Sequence, residues 1–210
     1  MSNKPKILCI CNQLLHTNLH NDLLNNNGAT PIKLENYQNI SILEKVNGLI
    51  ICNTIQSSLN DSDTNILQNN IFSYAFNNNL PLVAISQGML SLNDYLKKPE
   101  CTIKPMLPEI QLQSETTEAF ITPGSRLAKT LGTMGIIKVS LPQIPTLTEN
   151  QKSNSLLTSA YSTKNRSVLA FESMFHTWIL GILFDLNSSE KINTTIYKIH
   201  RSLINKIINQ

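Results

Sequence analysis

The stretch Leu80–Met89 (LPLVAISQGM) constrains the fold more than any other part of the chain. Four consecutive apolar residues, Leu82 to Ile85, predict a short strand buried on both faces. A helix is expected to follow at once, over Gly88–Leu96, leaving only Ser86 and Gln87 for the turn. A residue on so abrupt a corner is held out at the carboxyl end of a sheet, the position of a nucleophile elbow. Ser86 is therefore the first candidate functional residue.

The rest of the amino-terminal half repeats the alternation. Lys6–Cys11, Pro31–Leu34 and Gly48–Cys52 read as strands. His16–Asn27 reads as a helix ending near Gly28, and a second helix starts at a cap on Asp61 or Asp63. This β-α-β-α order predicts a mainly parallel sheet with helices on both faces. Working sites in such sheets lie outside the carboxyl ends of the strands, where Asn12, Cys52, Asn53, Thr54 and Ser86 all fall. The second half is punctuated by Pro99, Pro105 and Pro108. Strand-like pieces follow at 119–122, 136–140, 156–161, 168–172 and 178–184, which suggest antiparallel extensions of the same sheet. The tail, Ser189–Ile208, carries Ile192, Ile196, Ile199, Leu203 and Ile207 at helical spacing.

With 210 residues, 41% of them hydrophobic and 15% charged, the chain is expected to form one ordered domain over 1–210. A net charge of +3, with no basic cluster interleaved with aromatics, gives no support to nucleic-acid or membrane-surface binding. Asparagine runs such as Asn77-Asn78-Asn79 suit left-handed helix caps. The four cysteines, Cys9, Cys11, Cys52 and Cys101, form no CxxC pair, and reduced structural thiols in a cytoplasmic protein are expected. The start of the chain does not read as a signal peptide, and no apolar run approaches the ~20 residues of a membrane span.

Three segments, in order, resemble the class I glutamine amidotransferase superfamily, and within it the gamma-glutamyl-gamma-aminobutyrate hydrolase branch. Leu80–Asn93 is similar to its strand, G-x-C-x-G elbow and helix. Thr122–Gly132 (TPGSRLAKTLG) is similar to its P-G-S-x-L-A-x-x-L-G segment, and Val168–Asn187 to the closing hairpin that ends in H-P-E. The resemblance implies a flavodoxin-like three-layer α/β sandwich. It also implies that the catalytic cysteine, histidine and glutamate positions fall on Ser86, Asp185 and Asn187. Leu186 stands for the intervening proline, and Ala84 for the glycine two residues before the nucleophile. Cys52-Asn53-Thr54 stands where the oxyanion loop carries Gly-Gly.

Those substitutions remove the chemistry piece by piece. Amide hydrolysis on this scaffold needs a thiolate, an imidazole to carry the proton, a carboxylate to orient it and backbone donors for the oxyanion. A serine hydroxyl stays protonated at neutral pH, Asp185 is a weak acceptor for an alcohol proton, and Asn187 is no base at all. Losing the nucleophile or its histidine costs on the order of 10⁶-fold in a comparable triad, or about 8 kcal/mol of barrier. The expectation is a catalytically inactive pseudoenzyme that keeps the scaffold for ligand or partner binding. One alternative is a hydrolase of gamma-glutamyl or other amide bonds, using Ser86 with a base such as His176. Another is an α/β-hydrolase-like order of Ser86, Asp185 and His200, although His200 sits on the tail helix beside Ile199. A third is a small-ligand sensor.

The remaining candidates carry weaker signals. Asn53, Thr54, Gln87 and Gln143 are candidate pocket residues for a gamma-glutamyl or amino-acid-like ligand; a protein partner or homo-oligomer is the other expected association. No cofactor is expected. His16 and His20, four apart on one helix, form a potential metal pair without an evident third ligand, so a solvated helix face is expected. His176 is expected in a surface turn, and Trp178 and Phe184 in the core.

Overall fold

In a computed structural model, the described residues are 4–11, 14–34, 40–52, 61–97, 115–142, 144–184 and 190–210. Strands β1 (Lys6–Ile10), β2 (Thr30–Lys33), β3 (Gly48–Ile51) and β4 (Leu82–Ile85) alternate with helices α1 (Leu14–Asn26) and α2 (Asp61–Asn77). Helix α3 (Gln87–Lys97) then precedes β5 (Glu115–Ile121), the short α4 (Arg126–Leu131) and β6 (Gly135–Leu141). Strands β7 (Leu156–Ser162), β8 (Val168–Ser173) and β9 (Ile179–Ile182) lead to the carboxyl-terminal α5 (Glu190–Ile208). All nine strands join one sheet in the order β2-β1-β3-β4-β9-β8-β7-β5-β6.

The left half is parallel, and β9 extends it by pairing parallel with β4. The remaining pairs are antiparallel. This is the α/β sandwich with an antiparallel extension that the alternation predicts. Every residue of β3, β4 and β9 is buried, as expected for strands covered by helices on both faces. The crossovers β1→β2 and β3→β4 run in opposite directions along the sheet, so right-handed connections put α1 and α2 on opposite faces. Helix α1 packs against α5, where His20 meets His200, and α2 packs against α3, where Phe72 meets Tyr95. On α5 the buried stripe consists of Ile196, Ile199, His200, Leu203 and Ile204.

Helix ends follow local chemistry. Helix α2 ends with Asn79 at φ 51°, Leu80 N–H donating to Ala75 O at 2.9 Å and Asn79 N–H to Phe76 O at 3.2 Å. That is the left-handed cap expected of the asparagine run. The apolar pattern gives no sign of helix α4. Its signals are capping ones: Ser125 Oγ accepts from Ala128 N–H at 3.0 Å, and Gly132 closes the helix at φ 68°. Among the described residues, no helix is long and apolar enough to cross a membrane.

Candidate functional site

Ser86 lies on the corner between β4 and α3, with φ 53°. A non-glycine residue in the left-handed region carries about 1–3 kcal/mol of strain and persists only where its surroundings impose it. Two backbone bonds impose it here. Ser86 N–H donates to Ile182 O at 2.7 Å, pinning the corner to β9, and Ser86 O accepts Met89 N–H at 3.0 Å, opening the first turn of α3. Gly88 sets how closely α3 approaches the sheet. A Cβ there would lie 2.9 Å from the carbonyl carbon of Ile51 and closer still to its oxygen. The corner is thus a strained strand-turn-helix mount, packed on β3 and tied to β9, with the half-buried Ser86 at its tip. Gln87 follows it as the first residue of α3, half-buried. The other expected site residues, Asp185, Asn187, Asn53, Thr54 and Gln143, lie outside the described residues.

Among the described residues, the histidines do not gather around Ser86. His176 is buried, not in a surface turn, and precedes β9; it therefore sits at the amino end of strands whose carboxyl ends flank Ser86. Its Nδ1 accepts Trp178 N–H at 3.2 Å, so Nε2 carries the proton toward Ala75 O at 3.3 Å. Burial holds its pKa below the ordinary value, the Ala75 hydrogen bond opposes that, and the charge of Arg126 lowers it further. The Thr122–Gly132 segment works at the same far end. Arg126 N–H donates to Glu172 Oε2 at 2.6 Å and its guanidinium to Ile179 O at 2.9 Å, anchoring α4 to β8 and β9. That segment therefore fixes the scaffold at the end of the sheet remote from the corner.

His20 and His200 are buried together, which corrects the expectation of a solvated face for His20. The side chain of His16 lies outside the described set. His200 Nδ1 is 2.7 Å from Ile196 O, and His200 Nε2 is 2.9 Å from His20 Nδ1. A carbonyl can only accept, so His200 Nδ1 carries its proton and Nε2 is the acceptor for His20 Nδ1–H. The chain of bonds leaves the lone pair of His20 Nε2 facing Cys52 Sγ at 3.2 Å. Complete burial pushes the His200 pKa down to about 4 against the Ile196 hydrogen bond that raises it.

Cys52 does not stand alone. Parallel register sets Ile10 beside Ile51, so the residues following them, Cys11 and Cys52, come side by side. Their Cα atoms are 5.1 Å apart and their sulfurs are paired. For these two cysteines this departs from the expectation of reduced structural thiols, while Cys101 lies outside the described residues. Cys9 remains a buried thiol, its pKa pushed up to about 12 by desolvation. Sequence reading missed the Cys11–Cys52–His20–His200 group because its members are distant along the chain. The available signal was that both cysteines stand at the carboxyl ends of the expected strands Lys6–Cys11 and Gly48–Cys52.

No family model matches the chain, and no curated protein matches it. Solved structures similar to it are glutamine amidotransferase-type domains. A putative GMP synthase component from Thermoplasma acidophilum superposes with a TM-score of 0.72 at 15% identity, covering 100% of this chain and 96% of that one. A glutamine amidotransferase from Thermotoga maritima gives 0.72 at 10% identity, over 99% and 100% of the two chains. The CTP synthase glutaminase domain of Trypanosoma brucei, solved with bound acivicin, gives 0.67 at 13% identity, over 97% and 94%. The fold of this chain is the one shared by these amidotransferase domains.

Proposed function

We propose that the chain is a catalytically retired amidotransferase-like protein, within or near the gamma-glutamyl-gamma-aminobutyrate hydrolase branch, that uses the scaffold to bind a small ligand or a protein partner. One observation carries the reading. All six ring nitrogens of the three described histidines have partners, and none of these partners is Ser86. A serine hydroxyl without an adjacent base is a poor nucleophile at neutral pH. The changes at the positions of Asp185 and Asn187 point the same way. The ligand class that suits the pocket expected around Ser86 and Gln87 is a gamma-glutamyl or other amino-acid-like amide, and the cytoplasm is the compartment proposed.

Hydrolysis of glutamine and a panel of gamma-glutamyl amides, compared between wild type and Ser86→Ala, tests the proposal. The expected result is no turnover above background in either protein. Turnover in wild type that disappears in Ser86→Ala would establish a hydrolase, and a further His16→Ala variant would then ask whether that residue supplies the base.

A further inference from the structure

We propose that Cys11, Cys52 and His20, in the reduced chain, form a binding site for a zinc-class divalent cation at the carboxyl ends of β1 and β3. The three ligand atoms lie within 4.8 Å of one another. In a tetrahedral site with metal–sulfur bonds of about 2.3 Å and metal–nitrogen bonds of about 2.0 Å, ligand atoms are separated by roughly 3.5–3.8 Å. Cys52 Sγ and His20 Nε2, at 3.2 Å, are close to that spacing already. Cys11 is half-buried and lies just beyond the end of β1, so its sulfur can swing away from Cys52 once the bond between them opens.

The histidine relay favours a metal over a disulfide alone. The carbonyl of Ile196 fixes the tautomer of His200, His200 fixes that of His20, and the outcome is a lone pair on Nε2 aimed at Cys52. A cation held by two thiolates uses that lone pair directly. A ligating imidazole whose other nitrogen donates into the protein is the usual outer-shell arrangement of metal sites. Two sulfurs and one imidazole are soft-to-borderline donors that suit Zn²⁺ and exclude Mg²⁺ and Ca²⁺.

The paired sulfurs are the oxidised form of the same site. A small dithiol supplies two electrons and two protons, splitting the Cys11–Cys52 bond into two thiols while closing to its own cyclic disulfide. Zn²⁺ then displaces the two thiol protons to solvent and binds both thiolates. The site is therefore filled or closed according to the redox state of the pair.

The test is a Co²⁺ titration, with Zn²⁺ back-titration, of the full chain reduced under anaerobic conditions. A thiolate-to-cobalt charge-transfer band saturating at one Co²⁺ per chain is expected, and none in the air-oxidised chain. Cys11→Ser and Cys52→Ser should abolish the band. His200→Gln should weaken binding by about 10–100-fold, the usual cost of losing an outer-shell partner. A second measurement needs no variant: Zn²⁺ should slow alkylation of Cys11 in the reduced wild type, with EDTA restoring it, as mapped by peptide mass spectrometry. Absence of the band in reduced wild type, its persistence in Cys52→Ser, or alkylation of Cys11 indifferent to Zn²⁺ would each overturn the proposal. None of these readouts depends on hydrolysis, so the site and the retired-enzyme reading stand or fall separately.

Discussion

Replacing Gly88 by alanine probes the corner that carries Ser86. The new methyl would lie 2.9 Å from the Ile51 carbonyl carbon, nearer still to its oxygen, and 3.2 Å from Ile51 Cγ2. The nearest obstacle is the backbone of a fully buried strand, so α3 or β3 has to move. Overpacking of this kind costs about 1–3 kcal/mol, and a backbone obstacle puts Gly88→Ala near about 3. Alanine recovers about 1 kcal/mol over glycine inside a helix. The net loss is then about 2 kcal/mol, which for a chain of this size lowers Tm by about 4–8 °C. Thermal and urea unfolding of wild type and variant, followed by circular dichroism, measure it. A Gly88→Ala protein as stable as wild type, or more stable, would show that α3 does not rest on β3 as described and would remove the packing that fixes Ser86 at the tip.

Two further perturbations test neighbouring steps. At Ser86, φ 53° predicts that Ser86→Gly stabilises the fold by up to about 1 kcal/mol while Ser86→Val destabilises it, and urea midpoints that fail to rank glycine above serine above valine would refute the strain. His200 couples stability to pH with a definite sign. Its folded pKa is depressed from 6.5 to about 4, so the unfolded chain takes up its proton first as pH falls. The stabilisation is present above pH 6.5 and is lost as pH falls through about 4, an interval equivalent to about 3 kcal/mol. His176, also depressed, adds loss of the same sign. In metal-free protein, His200→Gln should lose about that much less stability than wild type between pH 6.5 and 4, and equal losses would contradict the account.

Where order along the chain reflects local physics, the sequence is readable. The buried strands appear as continuous apolar runs, so the expected strand at Leu82–Ile85 matches β4 to the residue and that at Lys6–Cys11 matches β1 within one residue of its end. The elbow is legible for the same reason: a strand and a helix with only Ser86 and Gln87 between them leave one geometry. Helix α4 escapes because six residues are too few for periodicity, although Ser125 and Gly132 mark its ends. The paired Cys11 and Cys52 and the stacked His20 and His200 are not legible. Each pair is assembled by tertiary packing, 41 residues apart for the cysteines and 180 for the histidines. His200 occupies the buried stripe of α5, where an apolar pattern alone gives no reason to expect a polar network.

The central claim is that none of the three described imidazoles serves the residue at the tip of the corner and that no other base does, and the reactivity of a thiol placed there tests it most directly. In Ser86→Cys, the rate of alkylation at position 86 is followed against pH by peptide mass spectrometry, with wild type mapped in parallel. A thiol at a helix start without a paired histidine should titrate somewhat below the ordinary 8.5, with its rate still rising through about pH 8. A rate already at its plateau by about pH 6 would reveal a thiolate–imidazolium pair, and with it a working base beside Ser86 that the retired-enzyme account denies.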